Sequence, residues 1–446
     1  MQTEDDVSYE IELDNVLHRL RYPRFLLHVR ECMSKTHELL LEGLLEHGRL
    51  RTHQLYSRVT ASPEYDETTK AEIALEKAFG ELVEGRFVQR VPIGYREEHQ
   101  HQRGSSAHEG GGGDAAGGSG GGGNLPLQSG GSSGGRGGGG GGGGGGGVFR
   151  GGGGGGDDDA LWRVNADEFN RRFRHVACAA LVREKVDEMA GHLLLTMLEL
   201  TRANEAKVNE ERSTPVSEAD ITQATCESNN RAEVEGMKSV IGKLAGDTSE
   251  LISCVGETHG GTNYCVNMRR IVDLIRIKEV EAVVRERFGG PACRIFRLLL
   301  LKRNLEQKQI AEMAMIPIKD TRELLYKLLK AEYIQIQEVA RTSDHAPSRT
   351  FYLWRVDLLR VVEQVGRELY RATSNLRARL IHELDQERET LTLLERAQDK
   401  ISRGGESTVA LTATQRANLV RMRTIATRLE SSLLRLDELV LIFNVM

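Results

Sequence analysis

Basic side chains are concentrated in one stretch of the sequence, residues 292–356. This stretch holds twelve Lys and Arg against seven Asp and Glu, a local charge of +5, whereas the 446-residue chain carries a net charge of −5. Lysine and arginine on a helix and a loop can follow a phosphate backbone without reading bases. The candidates for such DNA contact are Lys302, Arg303, Lys319, Arg322, Lys327, Arg341 and Arg349.

The same charge has a second interpretation. A basic face also keeps a small module soluble or docks it on another protein, so both the phosphate-contact and the protein-docking interpretations remain open. Recognition of one base sequence is disfavoured. The basic residues Lys319, Arg322 and Lys327, which a helix after Pro317 would carry, are not accompanied by the Asn or Gln side chains that make bidentate contacts with bases.

Residues 306–356 predict the order helix, turn, helix, strand, polar loop, strand. Pro317 separates two apolar-periodic runs, where it ends a short helix and starts a longer one with its fixed φ. Four leucines of the longer run fall on one helical face and predict its core side: Leu324, Leu325, Leu328 and Leu329. Two alternating runs follow, at 334–339 and 351–354, and TSDHAPSR lies between them. This order is typical of a winged helix, with TSDHAPSR as the wing.

Motifs for catalysis or metal binding are not found in the sequence. The six cysteines are scattered without a Cys-x-x-Cys pair, which fits a reducing compartment and neither a disulfide framework nor a zinc site. His382 and Glu383 resemble the start of a zinc-protease helix, but Gln386 stands where the second histidine would be. We therefore expect no catalytic residues, no metal and no cofactor.

The composition predicts a soluble, intracellular protein built from several small cores. The chain is 39% hydrophobic but only 5% aromatic, Met1 is followed by TEDD without an apolar leader, and no apolar run approaches the roughly 20 residues of a membrane span. A Gly/Ser tract interrupts the chain and cannot bury enough apolar surface to fold, so we expect a disordered linker there.

The C-terminal part of the chain has the repeat of a coiled coil. Apolar residues recur every seven positions in two complementary series: Leu419, Ala426, Leu433 and Val440, with Met422, Leu429, Leu436 and Phe443. A looser series precedes it from Leu358 to Ile401, and the break at 403–405 favours an antiparallel hairpin. Each helix of an antiparallel pair buries one apolar stripe. Leu439, Leu441 and Ile442 are apolar residues left over from that stripe, which predicts that they dock on a partner.

The wing residues Asp344, His345 and Pro347 are further partner-contact candidates, although such residues are also ordinary turn formers.

These patterns predict a mainly α fold, with tandem winged-helix domains followed by a C-terminal antiparallel coiled-coil hairpin. The predicted domains are a winged helix at 10–95, a Gly-rich linker at 96–159, winged helices at 160–270 and 271–356, and the hairpin at 357–446.

Several segments together resemble one known family, the third subunit of eukaryotic RNA polymerase III, which is related to the alpha subunit of general transcription factor IIE. The segments are RYPRF at 21–25, GRFVQRVP at 85–92, LWRVNADEF at 161–169, VVRERFGGPACRI at 283–295, EQKQIAEMAMIP at 306–317 and DHAPSRTFYLW at 344–354. The resemblance covers nearly all of the chain except the Gly tract and parts of the unit that follows it. In this family another winged helix precedes RYPRF, and the sequence has about twenty residues there, so we expect that module to be missing or the gene model to be incomplete.

The resemblance implies a non-catalytic subunit of RNA polymerase III. It implies membership of a three-subunit subcomplex on the clamp of the largest subunit, with roles in initiation, promoter opening and transcription of small RNA genes. It also implies contact with DNA that does not depend on sequence, and a nuclear location. The alternative from the residues is a free-standing winged-helix regulator that dimerises through its coiled coil.

Overall fold

A computed structural model describes residues 13–62, 71–91, 160–225, 231–258, 261–343, 349–402 and 412–444. The described chain is mainly helical, with three small antiparallel sheets and a C-terminal helical hairpin, which confirms the predicted fold class. The Gly-rich tract and the wing residues Asp344, His345 and Pro347 lie outside the described residues.

The first unit packs five helices over a two-stranded sheet. Its elements are α1 (Leu13–His18), α2 (Tyr22–Cys32), α3 (Lys35–His47), α4 (Thr52–Thr60), α5 (Ala71–Glu84), β1 (Val88–Arg90) and β2 (Trp162–Val164). The strands are antiparallel, with Val88 opposite Val164, and Phe25, Leu40 and Leu44 lie in the core beneath them.

The strand at 162–164 corrects the predicted start of the next domain at residue 160. It pairs with β1 of the first unit, and Val91 N donates to Leu161 O at 2.8 Å. Residues 92–159 therefore lie between two paired strands of one sheet. A three-residue strand has too few alternations to specify its partner from sequence.

The second unit has a three-stranded sheet in the order β3-β5-β4. Its elements are α6 (Ala166–Lys185), α7 (Glu188–Thr201), β3 (Val216–Ser217), α8 (Glu218–Thr225), α9 (Arg231–Gly246), β4 (Ile252–Thr258) and β5 (Gly261–Val266). The helices α6 and α7 are separated only by Val186 and Asp187. Asp187 caps the second helix by accepting from Ala190 N at 2.7 Å, which stabilises a start within the apolar run.

The third unit shows the predicted order of elements over 306–356. Its elements are α10 (Met268–Phe288), α11 (Gly290–Lys302), β6 (Asn304–Leu305), α12 (Gln307–Ala314), α13 (Ile318–Lys330), β7 (Gln335–Ala340) and β8 (Thr350–Arg355). Glu306 and Gln309 form a capping box at the start of α12, and Met315 ends it in the left-handed conformation at φ 54°. Pro317 immediately precedes α13, as predicted. The strands are ordered β6-β8-β7.

Long helices form the C-terminal hairpin: α14 (Leu358–Gln386), α15 (Arg388–Ser402) and α16 (Ala413–Asn444). A Cβ added to Gly366, near the start of α14, would lie 3.0 Å from the side-chain oxygen of Asn444, near the end of α16. The two helices are therefore antiparallel. Five of the predicted seam residues are buried: Leu419, Met422, Leu433, Val440 and Phe443. The predicted helix from Leu358 to Ile401 is broken at Glu387, which lies between α14 and α15.

The end of α16 packs on the chain itself. Leu441 is buried, and Leu439 and Ile442 are half-buried against the cores of the preceding units. Arg276 Nε of α10 also donates to Ile442 O at 3.0 Å. Leu441 is therefore covered within the chain and is not available to a partner, which corrects that part of the prediction. Leu439 and Ile442 keep part of their surface exposed, so their contact with a partner stays a prediction.

Candidate nucleic-acid interface

The longer helix of the third unit, α13, presents two unpaired cations. Leu325 and Leu328 anchor its inner face in the core, so Lys319 and Arg322 point outward and are exposed. Neither cation forms an ion pair with any described residue, and the charge of Lys319 contributes only as a lesser cause, after Lys327, to the lowered pKa of Glu323. Their charge is therefore available to an external anion such as a phosphate.

The third cation on α13, Lys327, has a partner. Its Nζ lies 2.7 Å from Glu323 Oε1 one turn earlier, and both side chains are more than half exposed. The hydrogen bond from Lys327 is the main cause that lowers the pKa of Glu323. Since the pair is neutral as a whole, Lys327 contributes less than Lys319 or Arg322 to an anion-binding face.

At the base of the wing, Arg341 stacks on an aromatic ring. Its guanidinium carbon lies 3.8 Å from the centroid of the Phe351 ring, and Arg341 N donates to Arg349 O at 2.9 Å. A stacked guanidinium keeps its charge while its rotamers are restricted. Arg341 and Arg349 are both exposed, next to the undescribed residues of the wing.

Lys302 and Arg303 lie at the other end of the same sheet. Asn304, which follows them, pairs with Arg355 at the far end of β8, whereas Thr350 at the wing end pairs with Ala340. Five strand steps separate these ends, or about 17 Å. The seven predicted contact residues therefore do not converge on one patch. Two of them lie at the end of the sheet away from the wing, three lie on α13, and two lie at the wing.

Exposed apolar side chains lie beside the cations of α13, a feature that the sequence prediction did not include. Met315 is 86% exposed, and Ile318 at the first position of α13 is 51% exposed. Together with Lys308 and Glu312 they line a shallow depression in the turn before the helix. The sequence signal was the apolar run MAMIPI, in which not every residue can face the core.

A buried charge cluster joins α6 to the segment after α7, and sequence patterns did not indicate it. Glu205 accepts from Arg174 Nη2 at 2.6 Å and lies 2.8 Å from His175 Nε2. Burial raises the pKa of Glu205, but the hydrogen bond from His175 and the charges of Arg174 and Arg171 outweigh it, so the net pKa is lowered. The carboxylate is thus charged and fully paired, which suits a structural role.

The described part of the chain carries neither a metal-binding cluster nor a membrane-spanning helix. Within it, no group of three His, Cys, Asp or Glu side chains is arranged to hold a metal ion. None of the described helices is both long enough and apolar enough to cross a membrane.

Comparison with known proteins identifies relatives along almost the whole chain. Two family models match, described as the POLR3C C-terminal winged-helix domain at residues 280–356 and as RNA polymerase III subunit RPC82 at residues 155–275. The DNA-directed RNA polymerase III subunit RPC3 of Danio rerio is 30% identical, and the alignment covers 98% of the chain and 84% of that protein. The RPC3 proteins of Homo sapiens and Mus musculus are 28% and 29% identical, with 98% of the chain and 85% of each relative covered.

Proposed function

The chain belongs to the RPC3 family of DNA-directed RNA polymerase III subunits, and we propose that it is a non-catalytic subunit that contacts DNA through its third unit. Other polymerase subunits are its partners in this proposal, and the nucleus is its location. The proposal includes a place in a three-subunit subcomplex on the clamp of the largest subunit, where the chain supports initiation and promoter opening.

The observation that carries the DNA contact is the pair of exposed, unpaired cations on α13. Lys319 and Arg322 lie three residues apart on the face of α13 turned away from its buried leucines. In a winged helix this face is the one that approaches the groove or backbone of DNA. Cations without Asn or Gln partners bind phosphates whatever the base sequence, so we propose sequence-indifferent, salt-sensitive contact.

The adjacent apolar side chains limit how this contact can be made. Met315 and Ile318 gain nothing from phosphates, and they favour a protein neighbour next to the DNA. The third unit would then lie between DNA and another subunit, which agrees with a role inside a larger assembly.

Promoter opening by the assembled polymerase tests this function. The variant Lys319→Glu with Arg322→Glu should assemble normally but give a smaller fraction of open promoter, measured by permanganate reactivity of unpaired thymines. The matched control is Lys207→Glu with Arg212→Glu, two exposed cations of the second unit that form no ion pair with any described residue. Equal opening by both variants would remove the proposed DNA role of α13.

A further inference from the structure

Strand β7 (Gln335–Ala340) forms an open edge of the sheet in the third unit. It has six residues and pairs with β8 on one side without a register shift. The other edge strands of the described chain are shorter or irregular: β1 has three residues, β3 and β6 have two each, and β4 has a register shift between Cys254 and Gly256. Short or bulged edges resist pairing with another chain, and β7 has neither protection.

The hydrogen bonds to β8 determine which backbone groups of β7 face outward. Arg341 N donates to Arg349 O at 2.9 Å, so these residues, which continue the β7–β8 register, form a hydrogen-bonded pair. Hydrogen-bonded and non-hydrogen-bonded pairs alternate along an antiparallel ladder. The N–H and C=O groups of Ile336, Glu338 and Ala340 therefore point away from β8, and no backbone group of another described residue bonds to them.

A cavity of about 450 Å³ adjoins the start of this edge. The end of α13, Gln335 of β7 and one face of α14 line it, so the cavity lies between the third unit and the hairpin. Its two arginines already have acidic neighbours, since Arg367 lies 3.8 Å from Glu332 and Arg360 lies 3.7 Å from Asp357.

Two carboxylates along the edge and the cavity form no ion pair with any described residue. Glu338 stands in the middle of the edge and Glu363 lines the cavity, and both side chains are exposed. Another cation near the start of β7, Arg355, donates to Gln335 Oε1 on the opposite face of the sheet from Glu338. A chain that follows the edge into the cavity therefore meets negative charge at two points.

The position of Glu338 disfavours a second copy of this chain as the neighbour. Two β7 edges that paired antiparallel through all their outward-facing residues would place Glu338 of one copy opposite Glu338 of the other. Like charges directly opposite each other destabilise a strand pair, whereas a basic residue opposite Glu338 stabilises it. The edge therefore favours a different polypeptide with positive charge.

We propose that the β7 edge binds an extended, basic segment of another polymerase subunit, which adds to the sheet as a fourth strand and enters the cavity beside α14. Main-chain hydrogen bonds to Ile336, Glu338 and Ala340 hold the segment, and its side chains give specificity. The segment carries Lys or Arg opposite Glu338 and an apolar residue two positions away, opposite Ile336. A further basic residue lies against Glu363. This inference rests on the proposed function in one respect, namely that the partner is in the assembled polymerase.

Photo-crosslinking in the purified polymerase identifies the neighbour of this edge. A benzophenone amino acid replaces Gln337, an exposed residue of β7, in the full-length tagged chain. We expect an adduct with one other polymerase subunit, through a peptide in which Lys or Arg stands two positions from an apolar residue. An adduct with DNA, with a second copy of this chain or with a peptide that lacks a basic residue would overturn the proposal.

Proline at position 338 tests the backbone contact. Glu338→Pro removes an N–H that points to the open edge but keeps the bonds to β8, because Glu338 and Tyr352 form a non-hydrogen-bonded pair. We expect the yield of the Gln337 adduct to fall at least about tenfold, since an acceptor of the added strand loses its donor. The matched control Glu338→Ala keeps the N–H and should reduce the yield by about threefold at most. Equal yields from the two variants would overturn strand addition.

Charge reversal in the cavity gives a measurement that does not alter β7. Glu363→Lys, on the surface of α14, should reduce the adduct yield by about tenfold because it replaces attraction by repulsion. Glu430→Lys makes the same change at an exposed carboxylate of α16 that does not line the cavity, and it should leave the yield within about twofold. Polymerase that purifies with the chain but gives no adduct at Gln337 contradicts the β7 proposal alone. A chain that brings down no polymerase contradicts the proposed function.

Discussion

Arg21 Nε lies 3.0 Å from Asp437 Oδ1, and both side chains are buried. The pair joins residues at opposite ends of the sequence, and Arg21 also donates to Asn170 Oδ1 at 3.1 Å. Arg21 thus joins the start of the first unit to the hairpin through Asp437 and to the first helix of the second unit through Asn170. Arg24 adds a weaker contact to the same carboxylate at 3.7 Å.

Removal of the carboxylate from this pair should destabilise the protein strongly. Asp437→Ala leaves a buried arginine without its counter-charge, a change that costs on the order of 3–5 kcal/mol. Urea unfolding of the full chain measures the decrease in stability. Arg21→Met combined with Asp437→Leu removes both charges and should recover most of the stability. An alanine variant within about 1 kcal/mol of the natural chain would show that the pair does not hold the units together.

Reversal of the charges on α13 should weaken binding to duplex DNA and reduce its salt dependence. Removing one phosphate contact lowers the slope of log affinity against log salt by about 1, so Lys319→Glu with Arg322→Glu should reduce it by about 2. Fluorescence anisotropy with two duplexes of unrelated sequence measures this, and affinity should fall equally for both. The control Lys207→Glu with Arg212→Glu should retain the slope. Weakening confined to one duplex would instead support base recognition and the regulator alternative.

His28 should make stability depend on pH between about 6.5 and 4. Burial against Phe87 and Phe169, and then the charges of Arg172 and Arg202, lower the pKa of His28 to about 4. In the unfolded chain the imidazole protonates near pH 6.5, so the unfolded state binds the proton first as the pH falls. The stability contributed by neutral His28 is therefore complete at pH 7 and lost progressively toward pH 4.

The variant His28→Gln should flatten this part of the stability profile. The slope of the free energy of unfolding against pH should differ between the two proteins by less than the one-proton limit of about 1.4 kcal/mol per pH unit, because the ring is only half-buried. Urea unfolding at pH 7.0, 6.0 and 5.0 measures it. Identical slopes in the natural chain and the variant would contradict the low pKa of His28.

Removal of the Gly-rich tract should leave the first unit folded. Val91 and Leu161 are hydrogen-bonded neighbours in the β1–β2 pair, so a short turn can join them. Deletion of residues 96–157 shortens the connection by about tenfold, which lowers the loop-closure cost by about 2 kcal/mol if the tract is a flexible coil. Thermal unfolding of the deleted and full chains compares them. A marked decrease in stability would mean that the tract makes contacts of its own.

The positions of helices with a long apolar repeat were predictable from the sequence. The pairing of short strands, and the surfaces that cover extra apolar residues, were not. The heptads from Leu419 to Phe443 located the hairpin seam, and Pro317 with the leucines of 324–329 located the helices of the third unit. The partner of the strand at 162–164 was not predictable, because three residues carry no pairing information. Leu439, Leu441 and Ile442 were assigned to a partner because their spacing shows an extra apolar face but not which part of the fold covers it.

The candidate site was predictable as a set of residue types but not as an arrangement. Charge counting found Lys319 and Arg322, yet it also included Lys327, whose charge is paired with Glu323, and Lys302, which lies at the far end of the sheet. Exposure and pairing depend on tertiary contacts between elements, and no local pattern encodes them. The same reason explains why the Arg21–Asp437 pair, more than 400 residues apart, was invisible in the sequence.

Purification of the tagged chain at its native level tests the central claim, that the chain works as a polymerase subunit, most directly. We predict that the two largest RNA polymerase III subunits elute with the chain in one assembly, identified by mass spectrometry and sized by native mass measurement. We predict no free dimer, because the end of α16 is already buried against the chain's own second and third units. Elution as a dimer of about 100 kDa, twice the 49.5 kDa chain, without polymerase subunits would contradict this claim.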